Sequence, residues 1–402
     1  MKKLLFIALC TAAVGSVSAQ KANVDAAKKL AGKIDKIEEA RALIKEAIAN
    51  PETKDQANTY VIASDIELKA YDKAKKGLGL NSENAEPEKL AQMNSYLLNA
   101  YPLILQSVQV GENDPKSKAL GEAQKKLALH VNDYFQAGAD LYGAKKYYPE
   151  AYHAFEYYGD IPALPFMQGT VNIPDSIRAT AYYNAGLSGW AASELPAAAA
   201  AFKKAVNTGY DKPEAYIYGL ACWQNMMQND STVYDMAQSE IFEISKLGYA
   251  KFGMSQPVFL NNMVNVLVEQ NQEQQAIDLI GSLIAENESA ALYGLRGYVY
   301  DRMGKDMESE ADYRKAASME DADFETLKNA GKKIFRRGTE LWNEIEGNSA
   351  EANAKRKEVR ENYWGRAFEI ANKAKMIKPA DANASDLDYL LDQINYALES
   401  LR

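Results

Sequence analysis

Cysteine is scarce in this chain of 402 residues. Cys10 and Cys222 are the two examples. Cys10 lies in a leading segment that we expect to be removed, as described below. Cys222 would then be alone, which excludes an intramolecular disulfide and leaves either a small core residue or a reactive thiol.

Histidine is equally rare, and the common catalytic motifs are missing. His130 and His153 are the only histidines, and neither belongs to a His-Glu-x-x-His motif. His153 stands three residues from Glu150 and Glu156, but a di-iron bundle needs a second Glu-x-x-His element, which the sequence lacks. The Gly-x-Ser-x-Trp run at residues 186–190 departs from a nucleophile elbow at its fifth position. The sequence therefore predicts no enzyme, no catalytic residues, and no metal or cofactor site.

Long apolar runs are also lacking, apart from one short stretch at the start. Lysines at positions 2 and 3 precede apolar residues 4–14, and small residues follow up to Ala19. This pattern predicts a secretory signal peptide over residues 1–19, with cleavage after Ala19. The apolar run is too short for a permanent anchor, and Cys10 follows a leucine rather than a small residue, so we expect no lipid. The expected location is the periplasm, the outer membrane or outside the cell.

Basic charge is in deficit. The chain has 46 basic and 55 acidic residues, a net charge of −9, and loss of the two leading lysines makes it about −11. Such a surface repels phosphate backbones, so nucleic acid is not an expected partner. Apolar residues make up 47% of the chain and charged residues 25%, which is typical of a folded protein with a solvated surface.

Helical periodicity occupies almost the whole chain. Apolar and aromatic residues recur at helical spacing, and strand-like alternation is missing. Gly-Leu-Ser-Gly-Trp at residues 186–190 is echoed by Gly-Leu-Ala-Cys-Trp at residues 219–223. A tyrosine, Tyr183 or Tyr216, stands three residues before each run. The two runs are 33 residues apart. Self-similarity at an offset of this length indicates a helical repeat protein.

These residues resemble the tetratricopeptide-repeat (TPR) family, whose pattern has aromatic or small residues at positions 4, 8, 11, 20, 24 and 27. The copy that starts at Ala179 has Tyr182, Gly186, Gly189, Ala198, Phe202 and Ala205. The copy that starts at Asn132 has Phe135, Ala139, Tyr142, Ala151, Phe155 and Tyr158. The copy that starts at Ala290 has Tyr293, Gly297, Tyr300, Tyr313 and Ala316. Weaker copies contain Ala40, Ile44 and Ala47; Ala276, Ile280 and Leu283; and Ala367, Ala371, Ala374 and Pro379.

The resemblance implies an all-α fold, a right-handed superhelical array of antiparallel helix pairs. Small residues at positions 8 and 20 allow two helices to approach closely, and stability comes from stacking neighbouring pairs. Cys222 aligns with Gly189 at position 11, so we interpret it as a buried core residue. The layout is similar to that of exported TPR proteins of Gram-negative bacteria, and stacked pairs predict an elongated monomer.

The repeat matches also predict a domain organisation. A helical segment with degenerate repeats is expected over residues 20–130, and a TPR array over residues 131–402. Departures from the pattern predict insertions near residues 159–175, 225–232 and 347–357.

The TPR resemblance implies a concave groove lined by the first helix of each pair. The candidate groove residues are Tyr183, Leu187, Trp190, Tyr216, Leu220, Trp223, Asn261, Asn265, Tyr298 and Asp301. The six in the first two helices would form parallel aromatic stripes, or they would be ordinary core. The asparagines can hold a peptide backbone. The lysines with which some TPR proteins hold a terminal carboxylate are not found, so that activity is not expected.

Two functions of different class remain open. The first is an exported scaffold that binds proteins or peptides in envelope assembly, secretion or host contact. The alternative is a glycan-binding protein of a nutrient-uptake system, because Tyr and Trp platforms also suit sugars. Such uptake proteins usually carry a lipid and large loops, which this sequence lacks.

Overall fold

The structure, a computed structural model, describes residues 22–78, 85–380 and 382–400, and these residues form helices and connecting segments without any strand. The predicted signal peptide lies outside them. The helices are α1 (22–30), α2 (Ile37–Ala49), α3 (Ala57–Leu78), α4 (Pro87–Gly111), α5 (Ala119–Gly143), α6 (Tyr148–Asp160), α7 (Asp175–Ala191), α8 (Leu195–Asn207), α9 (Glu214–Asn229), α10 (Tyr234–Phe252), α11 (Pro257–Glu269), α12 (Glu273–Glu286), α13 (Ala290–Arg302), α14 (Asp306–Ser318), α15 (Phe324–Asn343), α16 (Ala350–Val359), α17 (Arg366–Met376) and α18 (Ser385–Ser400).

The chain divides into two compact units after Ile244, within α10. In each unit the helices pack mainly on their neighbours in sequence, from α2 on α3 to α8 on α9 in the first unit and from α11 on α12 to α17 on α18 in the second. This sequential pairing confirms the all-helical paired fold. None of the described helices is both long and apolar enough to cross a bilayer.

Three helix pairs share one turn. The residue after the C-cap has a positive φ in each: Ser193 (61°), Asn271 (57°) and Gly304 (70°). The next residue closes the turn, as when the Glu194 N–H donates to the Gly189 carbonyl over 2.9 Å. This is a Schellman motif, which ends one helix and reverses the chain within a few residues. The α7–α8, α11–α12 and α13–α14 pairs are therefore tight antiparallel hairpins.

A glycine on the first helix of several pairs faces an aromatic ring on the second. A Cβ at Gly186 would lie 2.5 Å from the Phe202 ring, and one at Gly297 would lie 3.1 Å from the Tyr313 ring. In both pairs the glycine and the ring occupy TPR positions 8 and 24, as the sequence predicts. At Gly186 an added Cβ would overlap the buried ring, and at Gly297 the ring would have to move by a few tenths of an ångström.

The first helix of the Asn132 copy lies one residue out of the predicted register. Gly138, rather than Ala139, lies against Phe155, with a Cβ-to-ring distance of 2.7 Å. Ala139 and Tyr142 are exposed. Four residues join α5 to α6, whereas three join α7 to α8, so the longer turn moves the first helix back by one position.

The last pair is interrupted. A Cβ added at Gly331 on α15 would lie 3.6 Å from the backbone nitrogen of Ala371 on α17, and Ala367, Ala371 and Ala374 are buried. Helix α16 and a π-helical turn (Arg360–Gly365) stand between the two helices in sequence. The residues predicted as an insertion near 347–357 thus lie between the paired helices α15 and α17.

The two other expected insertions and the expected domain boundary lie in a loop, at a helix end and inside a helix, respectively. Residues 159–175 contain two 3₁₀ turns, Ile161–Ala163 and Pro165–Met167, whose Ile161 and Met167 side chains are in the core of the first unit. Residues 225–232 contain the end of α9 and the turn before α10. The expected boundary after residue 130 falls inside α5, where residues on both sides belong to one core cluster, so packing marks no boundary there.

Cys222 is fully buried, which confirms its interpretation as a core residue. Burial raises the pKa of its thiol to about 12. A thiol that stays protonated and shielded is a poor nucleophile.

Candidate functional site

The first unit carries a partly exposed cluster of aromatic side chains on α7 and α9, with Trp190 and Tyr218 the most exposed. Tyr218 lies beside Trp190, with ring centroids 6.1 Å apart, and 6.4 Å from Tyr183. Trp190 is 37% exposed and Tyr218 is 38% exposed. We call Tyr183, Leu187, Trp190 and Tyr218 the aromatic surface. Large exposed rings that adjoin one another are typical of binding surfaces.

The predicted stripe on α9 is only partly correct. Tyr216 and Leu220 are buried, at 3% and 2% exposure. They share one face of α9 with Ala215, Gly219 and Cys222, which are also buried, so the core alternative holds for these two residues.

Trp223 is half-buried, and Tyr218 takes the place expected for Tyr216. Alignment on the repeated Gly-Leu motif pairs Tyr216 with Tyr183, so Tyr218 was not among the predicted groove residues. The one feature of the sequence that points to Tyr218 is that it is an aromatic residue two positions after Tyr216.

Burial raises the pKa of two tyrosines in this region, Tyr183 and Tyr210. Tyr183 stacks on Tyr210 with ring centroids 4.7 Å apart. Burial raises the pKa of Tyr210, and the neighbouring Tyr183 and two carboxylates raise it further, to about 12. Burial and the neighbouring Tyr218 also raise the pKa of Tyr183. The aromatic surface therefore offers ring faces and, at Tyr183, a hydroxyl that stays protonated.

The second unit has an open cavity of about 510 Å³ between α11, α13 and α15. Its lining includes Asn261, Asn265 and Tyr298, three of the predicted groove residues, together with Asn329, which sequence reasoning missed. We call this cavity the asparagine groove. Both α11 asparagines are exposed, and no hydrogen bond joins either amide to another described residue.

Asp301 does not line the asparagine groove, and its carboxylate is bound by side chains of the same fold. Its carboxylate accepts a hydrogen bond from Lys333 Nζ at 2.5 Å and another from Arg336. Lys333 is buried and also reaches Asp306 at 2.9 Å. Burial would raise the pKa of Asp301, but the bonds from Lys333 and Arg336 outweigh it and lower the pKa. Asp301 therefore joins α13 to α15 within the fold.

A second charged cluster joins α6 to α8. Glu156 on α6 accepts from Lys204 on α8 at 2.9 Å, and Lys204 also reaches Asp160 at 3.1 Å. His153 is half exposed and stacks on Tyr157. Within the described part of the chain, no three His, Cys, Asp or Glu residues are grouped to hold a metal.

Comparison with known proteins gives matches among solved structures alone. No protein-family model and no curated protein matches the sequence.

Similar solved structures include the P58(IPK) TPR domain, with 13% identity, TM-score 0.26, and coverage of 96% of this chain and 99% of that one. Yeast Tom70 has 14% identity, TM-score 0.29, and coverage of 96% and 89%. The APC/C hetero-tetramer Cut9–Hcn1 has 13% identity, TM-score 0.27, and coverage of 90% and 74%. The hairpin turns and the glycine–ring contacts make this chain a TPR-like array of helix pairs.

Proposed function

We propose that this chain is a non-catalytic scaffold that binds segments of other proteins. The observation that carries the proposal is the asparagine groove, where two exposed amides on one helix have no partner within the described fold. A cavity of this size with a few free polar groups is typical of ligand sites.

The asparagine spacing suits an extended backbone. Asn261 and Asn265 are four residues apart on α11, which puts them about 6 Å apart along the helix axis. An extended peptide repeats every two residues, over roughly 6.7 Å. Each amide can donate one hydrogen bond and accept another. Two peptide groups of a bound strand that lie two residues apart could therefore be held, with Tyr298 beside them.

The aromatic surface of the first unit would supply apolar anchors. Exposed Trp and Tyr side chains that become buried by a partner often carry about 2 kcal/mol of binding free energy each. Trp190 and Tyr218 adjoin each other, so a single apolar side chain of a partner could contact both rings.

We further propose that the protein acts outside the cytoplasm, in the periplasm or at the outer membrane. The support is the predicted signal peptide over residues 1–19, together with the net negative charge that disfavours nucleic acid. Envelope assembly, secretion and host contact are the roles that fit a binding scaffold there.

A crosslinking pull-down from fractionated envelope tests the scaffold function. Wild type would be compared with an Asn261→Ala/Asn265→Ala variant and a Tyr183→Ala/Trp190→Ala/Tyr218→Ala variant, with Tyr396→Ala as a control at an exposed tyrosine elsewhere. We expect wild type and the control to capture a defined protein that at least one of the folded groove or surface variants loses.

Capture of the same protein by all four proteins would place binding elsewhere. Absence of any partner, with a positive response on a glycan array, would favour the glycan-binding alternative, because Trp190 and Tyr218 present flat ring faces that sugars also use.

A further inference from the structure

A second groove lies in the second unit, between α15 and α18. It is a cavity of about 550 Å³ whose apolar lining is formed by Phe335, Tyr389 and Leu390. Tyr389 is 66% exposed, so its ring is open to a ligand along one side. We call this cavity the α15–α18 groove.

Cations follow the α15 wall of this groove at four-residue intervals. Lys328, Lys332 and Arg336 all line it, and residues four apart share one helix face. Lys328 pairs with Glu325 at 2.7 Å, and Arg336 pairs with Asp301. Lys332 is exposed and forms no ion pair with any described residue.

The carboxylates of the lining do not neutralise Lys332. Glu340 lies 3.4 Å from Arg336 and 3.3 Å from Arg337. Asp386, on the α18 wall, is the other acidic lining residue. An unpaired ammonium beside an exposed apolar strip is therefore the feature that this groove presents.

We propose that the α15–α18 groove binds an acidic protein segment in which a carboxylate adjoins an aromatic or branched apolar side chain. The carboxylate pairs with Lys332, and the apolar side chain packs against Phe335, Tyr389 and Leu390. Complementary charge selects such a segment and rejects a basic one. This inference rests on the proposed scaffold function and names the chemistry of the partner.

The α15–α18 groove adjoins the asparagine groove, because Asn329 lines both cavities. A segment whose backbone lies on Asn261 and Asn265 could therefore continue past Asn329 to Lys332. The first groove would hold the backbone of any sequence, and the second would select the acidic side chains.

Fluorescence anisotropy with two synthetic peptides tests the selection. The acidic probe is Ser-Gly-Glu-Glu-Phe-Glu-Glu-Gly-Ser with a fluorescein label, and the basic probe has lysine in place of each glutamate. We expect wild type to bind the acidic probe, and Lys332→Glu to weaken that binding roughly three- to tenfold while strengthening the basic probe. Tyr389→Ala should weaken both probes.

Lys373→Glu is the matched control, because Lys373 is an exposed lysine on α17 that does not line the groove. This variant changes the net charge equally and should bind the acidic probe like wild type. Equal weakening by Lys373→Glu and Lys332→Glu would show a general charge effect and overturn the inference. No binding of the acidic probe, or no preference over the basic one, would overturn it as well.

The Asn261→Ala/Asn265→Ala variant separates this inference from the proposed function. It should keep the preference for the acidic probe over the basic one, because Lys332 supplies the charge selection. Loss of the probe in that variant, with retention in Lys332→Glu, would reject the α15–α18 groove and leave the scaffold function intact. Loss only in Lys332→Glu, with no partner captured by any protein in the pull-down, would support the groove and count against the scaffold function.

Discussion

Gly186 stands where α7 crosses α8. Replacement by alanine would put a Cβ 2.5 Å from the Phe202 ring. Overpacking of this kind costs about 1–3 kcal/mol, and better helix propensity returns up to ~1 kcal/mol. We expect Gly186→Ala to lower the free energy of unfolding measured with denaturant.

Gly121→Ala is the matched control for that substitution. Gly121 is also helical, lies in the same unit, and has no heavy atom within 4 Å of an added Cβ. It should be neutral or slightly stabilising. Equal destabilisation by both variants would contradict the idea that Gly186 is required by close packing.

Glu156 links stability to acid pH. Burial would raise the pKa of its carboxyl, but His153, Lys204 and Tyr152 lower it from 4.5 to about 2. The folded state therefore gains stability from this carboxylate above pH 4.5, and the gain is lost as pH falls towards 2. The contribution is at most about 3 kcal/mol, and solvent screening reduces it.

Urea denaturation from pH 6 to pH 3 checks this expectation. Glu156→Gln should be less stable than wild type at pH 6, and the gap should narrow progressively from pH 4.5 to pH 3, because the folded-state pKa lies near 2. Glu150→Gln removes an exposed carboxylate from the same helix and should leave the profile unchanged. A constant gap between Glu156→Gln and wild type at all pH values would argue against the link.

At the scale of the element, the hairpin turn governs how two helices meet. Ser193 holds a φ of 61° in the α7–α8 turn, where Gly304 occupies the same place in the α13–α14 turn. A non-glycine residue in this conformation costs roughly 1–2 kcal/mol, partly offset by the greater freedom of glycine when unfolded. Ser193→Gly should therefore raise the free energy of unfolding by about 0.5–1 kcal/mol.

The converse substitution at the equivalent turn is Gly304→Ala, which should destabilise by a similar amount. Thermal melts of both variants test the pair. If Ser193→Gly lowered the melting temperature, the serine side chain would have a role that its backbone conformation does not explain.

Lys333 joins three helices through Asp301 on α13 and Asp306 on α14. It is 4% exposed, so Lys333→Met would leave two carboxylates without their shared cation. Because both carboxylates are partly exposed, the expected loss is about 1–3 kcal/mol, below the cost of breaking a fully buried pair. Lys332→Met, at the neighbouring exposed lysine, should change the free energy of unfolding in denaturant little. A comparable loss in Lys332→Met would show that the ion pairs of Lys333 contribute no specific stability.

For the whole molecule, export is the prediction with the clearest readout. Cell fractionation should recover the protein outside the cytoplasm, and N-terminal sequencing should begin at Gln20, because small residues precede the expected cleavage point. Recovery in the cytoplasm with Met1 retained would reject the signal peptide. A monomer in size-exclusion chromatography with light scattering stays the expectation for the oligomeric state.

The all-helical class and most of the helix pairing follow from the sequence. The sequence spacing between a glycine and the ring it contacts depends on local helix geometry, because a helix repeats its faces regularly along the chain. Gly186 with Phe202 and Gly297 with Tyr313 are the two examples. The buried state of Cys222 followed from the same spacing.

Two residues that the repeat matches can differ in exposure to solvent, because exposure depends on tertiary packing. Tyr216 and Tyr183 occupy equivalent positions, yet only Tyr183 joins the aromatic surface, because the face of α9 that carries Tyr216 is buried. One additional residue in the α5–α6 turn moved Gly138 into the place expected for Ala139. Asp301 became part of the fold because Lys333 and Arg336 reach it from a separate helix. Such pairings depend on how separate helices dock, and local sequence periodicity does not encode them.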